Sequence, residues 1–154
     1  MREYLLTILL SAAICYLVTP FIKHAAEKFG AVAEIRDRDI HARPTPRWGG
    51  VAMWIAISLT FAIVSNLPLV GRSFGREAQG IFLAATFITL LGLLDDRFQL
   101  DAITKLAGQT LAAGILLLYG IQVLWLPING LVFLPPSIGQ LVTVLLVLIV
   151  INAV

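Results

Sequence analysis

Charged residues are scarce in this chain of 154 residues: Lys and Arg together number 11, Asp and Glu number 9, and the four make up 13% of the sequence. A soluble domain carries about twice that fraction. Hydrophobic residues account for 59% of the chain, and the mean hydropathy is +0.94. This composition predicts an integral membrane protein. The net charge of +2 gives no indication of nucleic-acid binding.

Cysteine is nearly absent, because Cys15 is the only one in the sequence. An internal disulfide is therefore excluded. Cys15 lies within an apolar segment, with neither a lipobox nor a small-x-small cleavage site around it. We therefore predict that the first apolar segment is a retained transmembrane helix and not a cleaved signal peptide.

Long apolar runs are abundant, and a helix needs about 20 residues to cross the hydrocarbon core of a bilayer. They predict an all-α, polytopic transmembrane helix bundle with about five membrane helices. The predicted membrane segments are 4–22, 48–67, 78–94, 104–126 and 138–154. The third of these is short.

Positive charge is distributed unevenly between the connections. The connections after the first and third segments, together with Lys105, hold eight of the eleven Lys and Arg residues. The positive-inside rule then places the N-terminus outside and these connections in the cytoplasm. The last segment reaches residue 154 without a charged or polar flank. We therefore expect residues 1–154 to be the truncated N-terminal part of one transmembrane domain.

Two adjacent carboxylates, Asp95 and Asp96, end the uncharged and mostly apolar stretch 81–94. A helix C-terminus already carries about half a negative charge, so folding alone gains nothing from this placement. A hard cation such as Mg²⁺ would explain it, with Mn²⁺ as an alternative ion. One carboxylate could instead act as a general base. The alternative interpretation is a solvated helix end at the membrane surface.

Lys105 and Gln109 follow on the next predicted helix. Lys105 has two interpretations: an i,i+4 ion pair with Asp101, which also suits a helix N-terminus, or a contact with a phosphate bound at the acidic turn. Spacing favours neither. Gln109 lies one turn further along the same face, and a polar side chain in a membrane helix is expected to face the bundle interior.

A basic patch precedes the second predicted helix. It combines His41, Arg43 and Arg47 with the glycine pair Gly49-Gly50. Glycine permits close backbone approach, and helix N-termini bind phosphate. The alternative is an ordinary positive flank with an interfacial tryptophan, but this does not explain two prolines and two glycines within seven positions, 44–50. Together with the acidic turn, the patch indicates a site for phosphate plus metal on one membrane face.

Three stretches resemble the polyprenyl-phosphate N-acetylhexosamine-1-phosphate transferases, most closely the bacterial undecaprenyl- or decaprenyl-phosphate N-acetylglucosaminyl-1-phosphate transferases. The matching stretches read His41-x-x-Pro44-Thr45-Pro46-Arg47-x-Gly49-Gly50, then Gly92-x-x-Asp95-Asp96-Arg97 with Lys105-Leu-x-x-Gln109, then Asn152-Ala-Val. The second stretch is the most specific. The third is similar to the opening of a longer family motif that lies beyond residue 154. Asp39 departs from the family, which often has a basic residue there.

The resemblance implies a magnesium-dependent phospho-glycosyltransferase of the bacterial cell membrane, with its active site on the cytoplasmic face. Its substrates would be a UDP-N-acetylhexosamine and a polyprenyl phosphate, and UMP would be released. Asp95 and Asp96 would serve the metal and the lipid phosphate, Lys105 would contact the diphosphate, and Asn152 would open the loop that completes the site. A homodimer is compatible with this family, and we expect residues 1–154 alone to be inactive.

Two other classes remain as alternatives. In an ion-coupled transporter, Asp95 and Asp96 would bind a proton or Na⁺, although transporter sites lie near the bilayer midplane and these carboxylates are expected at its edge. In a non-catalytic membrane bundle, Gly92, Gly108 and Gly114 would serve only as helix-packing positions.

Overall fold

A computed structural model describes residues 2–32, 46, 48–67, 71, 74–127 and 131–153. Within these ranges the chain is mainly helical, which confirms the predicted all-α class and the five helices. The helices are α1 (Arg2–Lys28), α2 (Gly49–Val64), α3 (Arg76–Phe98), α4 (Ala102–Leu118) and α5 (Pro136–Asn152). A short antiparallel pair, β1 (Trp125–Leu126) and β2 (Val132–Phe133), lies between α4 and α5.

Two of the helices, α1 and α3, are long and apolar enough to cross a membrane. The other three are apolar but shorter, with 16 or 17 residues each. Side chains on all five helices remain exposed although they are large and apolar, for example Tyr16, Leu111 and Ile149. Such a surface is typical of a membrane protein, where lipid replaces water.

The chain divides into two compact units. The first comprises Met1–Ser73 together with Gly92–Gln99. In it α1 packs against α2. Helix α2 buries every fourth residue, namely Ala52, Ala56, Thr60 and Val64. Small side chains on such a stripe allow two helices to approach closely, which is how membrane helices gain packing energy without a hydrophobic driving force.

Helix α1 ends at a glycine with a left-handed backbone. Gly30 has φ +72°, and the N–H of Ala31 donates to the carbonyl of Ala26 at 2.9 Å. This is a Schellman ending, for which glycine is favoured. An isolated antiparallel bridge between Val32 and Pro46 follows. It brings the chain back towards the start of α2.

The second unit comprises Phe74–Leu91 and Leu100–Val154. In it α4 packs against α5. Gly108 on α4 permits a close helix contact, because a Cβ there would lie 2.7 Å from the side chain of Leu91. No such neighbour lies within 4 Å of a Cβ at Gly92 or Gly114 in the described part of the chain. Of the three predicted packing glycines, only Gly108 thus faces a close neighbour.

Helix α4 ends at Leu118, although the predicted membrane segment runs to residue 126. Gly120 has φ +87°, and the N–H of Ile121 donates to the carbonyl of Leu116 at 3.0 Å. This second Schellman ending turns the chain out of the helix despite its apolar sequence. The chain then forms the strand pair, in which Trp125 lies opposite Phe133.

Candidate functional site

The acidic turn lies at the C-terminal end of α3, as the sequence predicted. Asp95 and Asp96 lie in the last turn of α3, which ends at Phe98. Both side chains are half-buried. Gln99 stops the helix with a left-handed backbone, φ 50°, and its N–H donates to the carbonyl of Asp95 at 2.8 Å. The helix dipole is therefore negative where the two carboxylates lie.

The donor chemistry of this turn fits a hard divalent cation. Magnesium binds through one or two carboxylates and takes the rest of its oxygen shell from water and phosphate. Asp95 and Asp96 supply two such carboxylates. Across the described ranges, no group of three or more His, Cys, Asp or Glu side chains is placed to hold a metal. Two carboxylates supply only part of the six-oxygen shell that magnesium takes.

Asp101 caps the N-terminus of α4. Its carboxylate accepts hydrogen bonds from the N–H of Ile103 and from both the N–H (3.2 Å) and the hydroxyl (2.5 Å) of Thr104. These donors stabilise the charged form, the Thr104 hydroxyl most of all, so the pKa of Asp101 lies below its ordinary value. The sequence expectation that Asp101 suits a helix N-terminus is confirmed.

Lys105 lies in the first turn of α4 and is half-buried. Its N–H donates to the carbonyl of Asp101 at 3.0 Å, which belongs to the helix itself. Its two sequence interpretations, the ion pair with Asp101 and the phosphate contact, both remain predictions.

Gln109 and Asn152 form a reciprocal amide pair between α4 and α5. Asn152 Nδ2 donates to Gln109 Oε1 at 2.8 Å, and Gln109 Nε2 donates to Asn152 Oδ1 at 3.3 Å. Asn152 Nδ2 also donates to the carbonyl of Leu148. Gln109 is buried with 5% of its surface exposed, which confirms that it faces the interior. Two residues predicted for substrate binding are thus brought together, although they are 43 positions apart.

The basic patch is described only in part. His41, Arg43 and Arg47 lie outside the described residues. Gly49 and Gly50 begin α2, and no described side chain caps this helix end. A Cβ at either glycine would meet no described atom within 4 Å. Contacts with the described residues therefore do not account for the two glycines, and an uncapped helix N-terminus has N–H groups suited to an anion.

Trp48, at the N-cap of α2, is a feature that sequence reasoning treated only as an interfacial residue. Its ring stacks on Phe29 with a centroid separation of 5.9 Å. Its indole Nε1 is buried and has no hydrogen-bond partner in the described part of the chain. Beside it is a mainly apolar cavity of about 180 Å³, lined by residues that include Lys23 and Pro46. The one sequence signal for this buried position of Trp48 is that it directly precedes the glycine pair.

The predicted site residues are divided between the two compact units. Asp95, Asp96, Gly49 and Gly50 belong to the first unit. The second unit contains Lys105 and the amide pair described above. The catalytic and binding roles of all these residues remain predictions.

Residues 78–154 match the model of glycosyl transferase family 4. The chain is 40% identical to the decaprenyl-phosphate N-acetylglucosaminephosphotransferase of Mycolicibacterium smegmatis, over 99% of this chain and 39% of that protein. It is 38% identical to the protein of the same name from Mycobacterium tuberculosis, over 99% of this chain and 39% of that protein. It is 34% identical to a probable undecaprenyl-phosphate N-acetylglucosaminyl 1-phosphate transferase of Bacillus subtilis, over 58% of this chain and 23% of that protein.

The chain thus spans about two-fifths of the length of the curated mycobacterial relatives that it matches. No solved structure matches it.

Proposed function

Since the chain belongs to glycosyl transferase family 4, we propose that its protein transfers N-acetylglucosamine 1-phosphate, or a related N-acetylhexosamine 1-phosphate, from a UDP-sugar to a polyprenyl phosphate. The observation that carries the proposal is the 40% identity to a decaprenyl-phosphate N-acetylglucosaminephosphotransferase over 99% of the chain. The acidic turn at the end of α3 supports it, because phosphoryl transfer needs oxygen ligands for a divalent cation.

In the proposed reaction, an oxygen of the polyprenyl phosphate attacks the β-phosphorus of the UDP-sugar. The bond between this phosphorus and the oxygen that bridges to the α-phosphorus breaks. That oxygen leaves with UMP, and the sugar phosphate becomes the outer half of a lipid diphosphate. A phosphate monoester is already mostly doubly charged at pH 7, since its second pKa is near 6, and little base catalysis is needed. Positioning and electrostatic stabilisation therefore carry most of the rate enhancement.

The acidic turn has the first role in this proposal. Asp95 and Asp96 would hold Mg²⁺, or Mn²⁺ in its place, and the bound ion would neutralise charge on the diphosphate. Both carboxylates are half-buried at the negative end of the α3 dipole, a position that favours a bound cation. Either carboxylate could also remove the last proton from the lipid phosphate.

Lys105 would add positive charge at the diphosphate. It lies four residues before Gln109 on α4, a separation of about 6 Å along a helix. The amide pair formed by Gln109 and Asn152 would therefore lie one turn deeper, where it orients the end of α5. We assign this pair to the substrate site because it lies one helical turn from Lys105.

The start of α2 would bind a phosphate of one of the substrates. Its first N–H groups, at Gly49 and Gly50, have no capping side chain in the described residues. Two positive side chains, Arg43 and Arg47, and the imidazole of His41 precede them in the sequence. Backbone N–H groups and flanking cations together are the usual composition of a phosphate site.

The proposed setting is the plasma membrane of a bacterium, with the site on the cytoplasmic face where UDP-sugars are found. The positive-inside distribution of Lys and Arg supports this orientation. The partners would be the UDP-sugar, the polyprenyl phosphate and the bilayer itself. A homodimer is compatible with the proposal but is not required by it.

The test uses the full-length protein with Asp95→Asn and Asp96→Asn as separate variants, and measures UMP release in the presence of polyprenyl phosphate. Each substitution should lower kcat by several orders of magnitude, since it removes a metal ligand or a base. Asp101→Asn is the matched control, because it is a nearby carboxylate with a capping role and should retain activity. Near-normal turnover in both Asp95→Asn and Asp96→Asn would refute the assignment.

A second readout does not depend on turnover. Magnesium should raise the Tm of the unmodified protein, because a ligand that binds only the folded state stabilises it. The increase should be lost in Asp95→Asn and Asp96→Asn and kept in Asp101→Asn. An equal increase in all variants would place the cation elsewhere.

A further inference from the structure

The connection between α4 and α5 is a β-hairpin without charge. Its strands pair Trp125 with Phe133 and Leu126 with Val132. No Asp, Glu, Lys or Arg follows Lys105 anywhere in the sequence. A loop that projects into water normally carries polar and charged side chains, and this hairpin carries none of the charged ones.

The hairpin exposes large apolar side chains on both sides of its turn. The exposed fractions are 58% for Leu124, 48% for Trp125, 64% for Leu131, 47% for Val132 and 75% for Phe133. So many exposed apolar groups in one small element mark a surface that is covered by something other than water.

The position of the hairpin follows from its attachments to α5. The N–H of Val123 donates to the hydroxyl of Thr143 at 2.8 Å, and the N–H of Leu134 donates to the carbonyl of Leu124 at 2.9 Å. A Cβ at Gly139 would lie 2.5 Å from the carbonyl oxygen of Val123. The segment before β1 therefore lies along the first two turns of α5, and the hairpin begins level with the N-terminus of that helix.

The start of α5 limits the depth of the hairpin. Helix α5 is apolar and begins at Pro136, and the sequence predicts that it crosses the membrane. Because a membrane helix begins near an edge of the hydrocarbon core, the base of the hairpin lies near such an edge.

We propose that this hairpin lies in the interfacial layer of the bilayer, with Trp125 and Phe133 as its anchors and the lipid headgroup region as its partner. Its backbone polar groups exclude the centre of the hydrocarbon core, where lipid-exposed irregular backbone is not tolerated. Tryptophan favours the interface, because its ring is apolar and its N–H is polar. The proposal is independent of the proposed transferase activity.

Two observations favour lipid over a second protein surface. The adjoining helix ends also expose apolar side chains, Leu118 at 78%, Ile138 at 48% and Leu141 at 60%. The described part of the hairpin also lacks the charged groups that give protein interfaces their specificity.

The test measures the depth of a spin label in the full-length protein, reconstituted in vesicles of phosphatidylethanolamine and phosphatidylglycerol. Cys15 and any other cysteine are replaced by serine, and Phe133→Cys carries the label. Power saturation compares collisions with oxygen, which concentrates in lipid, and with a water-soluble nickel chelate. The label at 133 should collide with oxygen at least as often as with the chelate, which would place it just below the level of the lipid phosphates.

The control is Glu77→Cys, labelled in the same way. Glu77 is exposed in the first turn of α3 and belongs to the same compact unit. A Cβ at Gly80, one turn along α3, would touch the ring of Tyr119, so this helix end lies beside the end of α4. The label at 77 should favour the nickel chelate. Equal chelate access at 133 and 77 would refute the proposal, and so would a label at 133 that neither reagent reaches, since protein would then cover the hairpin.

A label-free measurement checks the same depth. Lipids brominated near the headgroup end of the chain quench tryptophan within a few ångströms. The quenched fraction should fall in Trp125→Phe relative to the unmodified protein. Trp48 and Trp54 remain in both proteins, so the difference between the two reports on Trp125. No difference between the two proteins, or quenching of Trp125 by aqueous iodide alone, would overturn the proposal.

Discussion

Gln109 and Asn152 satisfy each other's side-chain amides across the contact between α4 and α5, with hydrogen bonds of 2.8 and 3.3 Å. Each amide has one donor and one acceptor engaged by the other. Because Gln109 is buried, neither water nor lipid can replace its partner without cost. The pair therefore fixes the axial register of α5 on α4, and with it the position of the residues that follow α5.

Gln109→Leu should destabilise the protein by about 0.5–1.5 kcal/mol, because it removes both side-chain hydrogen bonds between α4 and Asn152. The free energy of unfolding, or the Tm in detergent, measures the loss. Gln140→Leu is the matched control, since it makes the same change at an exposed position of α5 and should have little effect.

The double variant Gln109→Leu, Asn152→Leu completes a thermodynamic cycle. It should lose less stability than the two single variants added together, because neither amide is then left without its partner. Strictly additive losses would mean that the two side chains do not interact.

Gly139→Ala should destabilise the protein by about 1–3 kcal/mol, because the new methyl group would lie 2.5 Å from the carbonyl oxygen of Val123. The obstructing atom belongs to the backbone and cannot move alone. Gly114→Ala is the matched control in α4, where the methyl group meets nothing within 4 Å among the described residues. That change should be neutral or stabilise the helix by up to about 1 kcal/mol. Equal Tm values for the two variants would contradict the close approach of Val123.

Asp101→Ala should lower the Tm by a few degrees, since it removes the cap of α4 and leaves the N–H groups of Ile103 and Thr104 without an acceptor. Asp101→Asn keeps an acceptor oxygen at the cap and should retain most of the stability. A Tm for Asp101→Ala equal to that of the unmodified protein would show that the cap contributes nothing.

The same carboxyl predicts a dependence of stability on pH. The pKa of Asp101 is lowered in the folded state. Its contribution is thus fully present above the ordinary value of 3.8 and is lost as the pH falls through the lowered value. In a pH series, the difference in Tm between the unmodified protein and Asp101→Asn should change only at pH values below 3.8. A difference that changes near neutral pH would point to another group.

Lys105 has two interpretations that one pair of variants separates. If Lys105 contacts the diphosphate, Lys105→Gln should lower kcat by about a hundredfold or more, whereas Asp101→Asn should retain activity. If Lys105 serves only as the ion-pair partner of Asp101, both variants should lose a little stability and keep their turnover. UMP release by the full-length protein, with Tm measured in parallel, distinguishes these results.

The sequence by itself determined the class of the protein and the ends of several elements. Low charge and long apolar runs are sufficient to predict membrane helices, because the bilayer excludes unpaired charge and unpaired backbone groups. The acidic turn at the end of α3 and the cap at Asp101 were also readable, since each depends on the residues within one helical turn. The resemblance to a transferase family likewise rests on short local motifs, and the similarity to curated relatives bears it out.

Only the tertiary structure decided which side chains meet. Gly92, Gly108 and Gly114 were all candidate packing positions in the sequence. Among the described residues only Gly108 of these three has a close neighbour, because that depends on where Leu91 lies on another helix. The partner of Gln109 is 43 residues away, and no local pattern signals it. The apolar run up to residue 126 predicted one long helix, but the left-handed turn at Gly120 ends α4 early. The periodicity of apolar residues indicates which face of a helix is buried, whereas contacts between residues far apart in the sequence decide which side chains pack against that face.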